Sequence, residues 1–271
     1  MYIMQDFSVL MSVYYKDSPE WLREAIKSVI SQTAKPKEII IVCDGPLTPE
    51  LDKILDENRD FVKTHRLAKN MGLGEALRQG LEQCSCSLVA RMDSDDISLP
   101  DRFEKQLAVF EKNPKLAVLG GMIEEFDSHT LKPICIRQVP LEDAGIRKFL
   151  KFRNPMNHVS VMFRKDAVMK AGGYQPFPLL EDYYLWARMM AKGFRLMNIP
   201  DILVRVRIDA NMFGRRGGLA YFRNNLAMYG KLRELGLITV PEYIFNACVR
   251  FTVQVLMPKS LRGKFYKKAL R

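Results

Sequence analysis

The sequence predicts an α/β fold with a mostly parallel central sheet flanked by helices, followed by a helical, basic C-terminal extension. Three observations lead there. Short apolar runs alternate with helix-period segments through the first 122 residues, the pattern of strands joined by right-handed helical crossovers. The chain has 271 residues, 48% of them apolar, enough for one large domain with a real core. The positive charge is concentrated late: residues 1–186 hold 25 Lys and Arg against 27 Asp and Glu, whereas residues 187–271 hold 17 against 4.

The elements follow in order. "FSVLMSV" (7–13) reads as a buried strand. "SPEWLREAIKSVISQ" reads as a helix, with Ser18 as N-cap, Pro19 at the first helical position and Leu22, Ala25, Ile26, Val29 and Ile30 on one face. "EIIIVCD" (38–44) is a second buried strand, ended by the turn Asp44-Gly45-Pro46. A helix around 50–58 and a weak strand near 61–67 come next. The helix opening at "NMGLGEALRQGLEQ", the strand "SLVARM", the helix "PDRFEKQLAVFEKN" and the strand "LAVLGG" continue the alternation.

After residue 123 the pattern weakens. "NPMNHVSVMFRKDAVMKAGGY" predicts a loop, a strand and a short helix closed by Gly172-Gly173, and "LLEDYYLWARMMAKG" predicts a helix with two acids in its first turn. From 219 onward the chain reads as helical and basic, broken at Pro241 and Pro258. With no internal repeat, low-complexity tract or clear linker, the simplest parse is one domain over 1–215 and an extension over 216–271. The domain divides near residue 122.

Composition excludes several classes. The five cysteines are odd in number, scattered and without a C-x-x-C, and there are only three histidines, which argues against a disulfide framework or a structural zinc site. The N-terminal "MYIMQDFSVLMSVYYKD" lacks a basic leader, and no run reaches the roughly 18 apolar residues of a membrane span. The expectation is a cytoplasmic protein, attached to a membrane only peripherally. Its basic last third would attract phosphates of a nucleotide, a nucleic acid or an anionic lipid surface.

"ARMDSDDISLP" packs Asp93, Asp95 and Asp96 around Ser94 at the end of a strand. Helix capping by Asp96 or Ser98 accounts for one acid and not for three. Hard oxygen ligands suit Mg²⁺ or Mn²⁺ bound to a diphosphate. In a parallel sheet ligands bind at the carboxyl ends of the strands, and Asp44 falls on the same rim. Asp44 can otherwise cap a turn. Asn70, Gly72 and Gly74 precede a helix whose first amides can hold a phosphate or a polar ring, although glycines at this spacing also serve packing. Glu181 and Asp182 open a helix beside Tyr183, Tyr184 and Trp186; such acids suit the helix dipole, and one in an apolar setting can act as general base. His158 stands between polar loop residues and an apolar run, where a lone histidine is usually structural.

The ordered series "SVLMSVYYKDSPEWLREAIKSVISQT", "EIIIVCDG", "NMGLGEALRQGL", "VARMDSDDISLPDRFEKQ" and "EDYYLWARM" resembles the inverting nucleotide-sugar glycosyltransferases of family two, with the GT-A fold. The likeness runs from about residue 7 to about 209 and is greatest to bacterial enzymes that extend lipid-linked O-antigen or exopolysaccharide repeat units. It implies a nucleotide-sugar half up to residue 122 and an acceptor half up to 215. Within the first, Val13, Tyr14 and Tyr15 pack on the base and Asp44 reads a uracil ring. Asn70, Gly74, Arg91 and Ser94 line the donor site, and Asp93 and Asp95 hold Mn²⁺ or Mg²⁺. Asp182 is the implied general base, with Asp96, Glu181, His158, Arg215 and Arg216 near the acceptor and pyrophosphate.

The sequence lacks the Q/R-x-x-R-W element and transmembrane helices of the processive synthases; "VRVRIDANMFGRRGG" occupies that region, so one sugar per encounter is expected. The implied partners are a UDP-sugar, a lipid-linked glycan acceptor and, through the basic tail, the anionic inner face of the bacterial cytoplasmic membrane, with no nucleic acid. A nucleotidyltransferase is the rival enzyme and a basic nucleic-acid or surface-binding module the rival from another class.

Overall fold

The structure is a computed structural model that describes residues 5–208 and 218–258. Arg215, Arg216 and the basic residues from Lys259 onward lie outside the described residues.

The first half forms as the alternation predicts. Strands β1 (Phe7–Val13), β2 (Glu38–Cys43), β3 (Val62–Arg66) and β4 (Leu88–Arg91) lie parallel in the order β3-β2-β1-β4. Helices α1 (Pro19–Ile30), α2 (Pro49–Glu57) and α3 (Leu73–Gln83) connect them. Helices cover both faces, so β1, β2 and β4 are apolar without strict alternation, while the edge strand β3 is buried only at Val62. Leu10, Ile40 and Val42 enter one core layer with α3, and Val9, Met11, Ile39 and Ile41 enter the other with α1 and α2. Contact with α3 is close. A Cβ on Gly80 would stand 2.4 Å from Val42 Cγ2 and 2.5 Å from Leu10 Cδ1.

Beyond β4 the sheet turns mixed. The short β5 (Ile97–Ser98) leads to α4 (Arg102–Lys112), the long β6 (Leu116–Asp127), β7 (Pro133–Arg137) and α5 (Asp143–Leu150). Then come β8 (Met162–Arg164), α6 (Lys165–Lys170), α7 (Glu181–Ala191) and β9 (Arg195–Ile208). β8 inserts antiparallel between β4 and β6, β7 hairpins onto β6, and β5 pairs antiparallel with β9, whereas β6 and β9 run parallel. The mostly parallel expectation therefore holds for the first four strands. Beyond them β6 and β9 keep it, while β7 follows β6 by a tight turn that suits an antiparallel neighbour and β8 enters antiparallel after α5. Because β8 runs against β4, its entry segment Asn157–Val161 lies on the same rim as the end of β4, where Arg91 N–H donates to Val161 O at 2.9 Å.

Helices α8 (Leu219–Glu234) and α9 (Val240–Phe251) pack together after β9. Pro241 starts α9 rather than interrupting it. Thr239 and Glu242 form a reciprocal capping box, and proline in the first turn needs no amide partner.

Candidate active site

The rim assembles from loops after β1, β2, β3 and β4. Val13 is buried, and its carbonyl accepts from the Asp44 amide at 2.8 Å. Tyr14 and Tyr15 follow as exposed aromatics, 5.7 Å apart edge to face. The Asp44 carboxylate is buried and closes the glycine loop: Oδ1 accepts from Met71 N–H at 2.6 Å and Oδ2 from Gly72 N–H at 3.0 Å. Asn70 Nδ2 donates to the Asp44 carbonyl at 3.2 Å. Gly45 makes this approach possible, since its φ is +89° and a Cβ there would lie 2.6 Å from Asn70 N. Asp44 thus anchors the loop before α3 through the amides of Met71 and Gly72.

Neither Asp96 nor Ser98 caps α4, whose N-cap is Asp101. The buried Asp96 instead accepts from Arg207 N–H of β9 at 2.9 Å, and Ser98 N–H donates to Ser28 Oγ at 3.0 Å. Asp93, Asp95 and Asp96 each offer a carboxylate oxygen, and these lie within 4.8 Å of one another. Burial, then the charges of Asp93 and Asp17, push Asp95 up to about 7. Burial, then Asp95 and Asp93, raise Asp96 well above the carboxylate range. Arg91, almost fully buried, pairs with Asp93 through Nη2, while its Nε and Nη1 have no hydrogen-bond partner among the described residues. Among the described residues the cluster makes this one ion pair, which does not balance three acids. A hard divalent ion fits this donor set.

Asp17, which sequence reasoning did not single out, ties the β1 and β4 loops together. Its Oδ2 accepts from Tyr14 N–H at 3.1 Å and Ser94 Oγ–H at 2.8 Å, and burial raises it to about 6.

Across the cleft, Glu181 and Asp182 begin α7. Glu181 packs near Gly74, whose added Cβ would sit 3.5 Å from Glu181 Cβ, so α7 meets the glycine loop. Burial, then Asp182, push Glu181 up to about 7. Asp182 is raised by burial and held down in part by two donors, Asn154 Nδ2 to Oδ2 at 2.5 Å and its neighbour Tyr183 N–H to Oδ1 at 2.7 Å. Arg91 acts electrostatically on both acids, and Asp93 acts on Glu181. His158 Nε2 hydrogen-bonds Tyr174 Oη at 2.9 Å, and the ring meets Trp186 edge-on. Burial and then Arg91 lower its pKa well below the usual histidine value, so it is neutral and braces the wall between β8 and α7.

Beneath the site, the buried Arg102 donates to the Arg91 carbonyl at 2.7 Å, and Gln106 donates to Ser160 O at 2.9 Å. Arg102, Asn154 and Tyr174 were not singled out either. The first carries no signal beyond a helix-period charge, whereas Asn154 stands in the "NPMNHVSVMF" loop four residues before His158.

A family model for glycosyl transferase family 2 matches residues 8–174. The chain belongs to this family. Among similar proteins, an uncharacterized glycosyltransferase of Haemophilus influenzae is 40% identical over 98% of this chain and 99% of its own length. The amylovoran biosynthesis glycosyltransferase AmsE of Erwinia amylovora is 38% identical over 97% and 98%. A UDP-Gal:alpha-D-GlcNAc-diphosphoundecaprenol beta-1,3-galactosyltransferase of Escherichia coli is 40% identical over 98% and 96%. Among solved structures, TarS 1-349 of S. aureus in complex with UDP-GlcNAc superposes with a TM-score of 0.69 at 16% identity, covering 98% of this chain and 76% of that one. That likeness establishes the GT-A-type fold.

Proposed function

We propose that this family-2 enzyme is a non-processive inverting glycosyltransferase that moves a sugar from a UDP-sugar to a hydroxyl of a lipid-linked glycan, in exopolysaccharide or O-antigen assembly at the cytoplasmic face of the membrane. The observation that carries the reading is a carboxylate cluster at the end of β4 together with a second carboxylate pair at the start of α7, with the buried Arg91 acting electrostatically on both. The pathway is supported by the AmsE and galactosyltransferase relatives, and the donor class by the UDP-GlcNAc complex of TarS.

In a single displacement the acceptor oxygen attacks the anomeric carbon as the bond to the diphosphate breaks on the opposite face. Asp182 takes the hydroxyl proton: burial makes it basic, and Asn154 together with Tyr183 N–H aims it and keeps it ionised. Arg91 directs a buried positive charge toward the leaving diphosphate. Mn²⁺ or Mg²⁺ bound to Asp93 and Asp95 would neutralise the charge that accumulates on that group. Tyr14 and Tyr15 offer aromatic surface to the base, next to the loop that Asp44 and Asn70 hold.

The test is transfer from UDP-sugars to a polyprenyl-diphosphate acceptor by wild type and Asp182→Asn. The variant should bind UDP as wild type does and lose transfer by orders of magnitude. Unchanged transfer would remove Asp182 as base.

A further inference from the structure

Helix α9 is patterned the wrong way round for a helix in water. Its inward side carries the polar residues. Asn246 is buried and donates to Lys151 O at 3.0 Å, Glu242 pairs with Lys151 at 2.8 Å, and Arg250 donates to Tyr229 Oη and Phe152 O, each at 2.9 Å. The outward side is apolar. Val240, Ile244, Phe245, Val249 and Phe251 are all exposed, Ile244 at 54% and Phe245 at 58%, and Leu256 on the following turn is exposed at 63%. At 100° per residue these positions of α9 fall within one half of its circumference, and no Asp, Glu, Lys or Arg lies in that half. An apolar arc of this width facing solvent marks a contact surface.

The charge of the C-terminal sequence selects the occupant. Residues 219–271 contain ten Lys and Arg against two acids, Glu234 and Glu242, and both acids are paired with lysines. Apposing two copies through this face would bring like charge to like charge, whereas an anionic bilayer supplies the opposite charge and an apolar interior together. At 12 residues α9 falls short of the roughly 20 needed to span, and no helix among the described residues is long and apolar enough to cross a membrane.

We propose that α9 lies in the interface of an anionic membrane, with Ile244, Phe245 and Val249 inserted among the acyl chains. This rests on the membrane-surface reading above and moves the anchor from charge alone to the apolar arc.

Co-flotation of the full-length protein with phosphatidylethanolamine/phosphatidylglycerol vesicles, and with phosphatidylcholine vesicles, tests it. Wild type should float with the anionic vesicles. Ile244→Ser/Phe245→Ser/Val249→Ser should partition about tenfold or more weakly, with unchanged thermal stability and unchanged transfer to a short-chain, water-soluble acceptor. Lys264→Gln/Lys267→Gln/Lys268→Gln should weaken binding in a salt-dependent way.

If the triple-serine variant floats like wild type while the triple-glutamine variant does not, α9 insertion is wrong and a purely electrostatic membrane contact stands. If wild type floats with neither vesicle, the membrane reading falls as well. A wild-type dimer seen by light scattering and abolished by the serine substitutions would assign the face to a second copy and overturn the proposal.

Discussion

Replacing Asn154 with alanine should change how the rate depends on pH rather than simply lower it. The Asn154 side chain donates to Asp182 Oδ2 at 2.5 Å, a bond that favours the ionised carboxylate against the burial that raises its pKa. A hydrogen bond to a charged group contributes roughly 1.5–3 kcal/mol. Asp182 is only partly buried, so water recovers a share on truncation and about 1.4 kcal/mol is the working figure, about one pKa unit. The acid limb of kcat should therefore move up by about one unit, with about a tenfold loss below the limb and near-equality with wild type on the alkaline plateau. Initial rates at saturating donor, measured from about pH 5.5 to about pH 9 on both proteins, give the comparison. A loss by the same factor at every pH would show that Asn154 merely shapes the site. An unmoved limb would mean that Asp182 is not the group whose ionisation the rate reports.

Three more expectations concern stability and the donor loop. Gly45→Ala places a Cβ 2.6 Å from Asn70 N at a φ of +89°, so it should cost about 1–3 kcal/mol in denaturant unfolding and weaken UDP binding; a neutral substitution would mean that the turn is more plastic than its geometry. Gly80→Ala should destabilise by about 1–3 kcal/mol, because α3 has no room against Leu10 and Val42, while leaving nucleotide affinity per folded molecule unchanged. Asp17, raised to about 6, and Asp95 and Glu181, each raised to about 7, are acids whose folded pKa exceeds the unfolded one. Their ionisation is therefore harder in the folded state, and stability falls as the pH rises from the unfolded values through the folded ones. The metal-free melting temperature should rise as the pH falls from about 7 to about 5, within the window between the folded and unfolded pKa values, and saturating Mn²⁺ should flatten that trend; a metal-free protein that loses stability as the pH falls across this range would contradict it.

The first four strands were legible because a strand buried on both faces is a continuous apolar run, and the helices between them carry plain 3.6-residue periodicity and proline starts. Asp93 and Asp95 were legible for the same reason: a strand that ends in carboxylates delivers them to a predictable rim. The later half resisted. β7 exposes Ile134 and Ile136 and so lacks a buried alternation, and β9 interleaves arginines with apolar residues around Pro200. Pairing between β8 and β4 joins segments far apart in sequence, which no local pattern encodes. Asp17 and Asn154 escaped notice because their roles rest on single hydrogen bonds to distant loops, Ser94 for one and Asp182 for the other. Asp44 was visible as a rim acid, but its grip on the Met71 and Gly72 amides emerged only from the folded geometry.

The most direct measurement is calorimetric titration of UDP into wild type and into Asp93→Ala/Asp95→Ala, each with and without Mn²⁺, with GDP, dTDP and CMP as comparison ligands. Metal-dependent UDP binding that the double variant loses is the expected result. UDP binding with equal affinity in both proteins, indifferent to metal, would contradict the account of the Asp93 and Asp95 site.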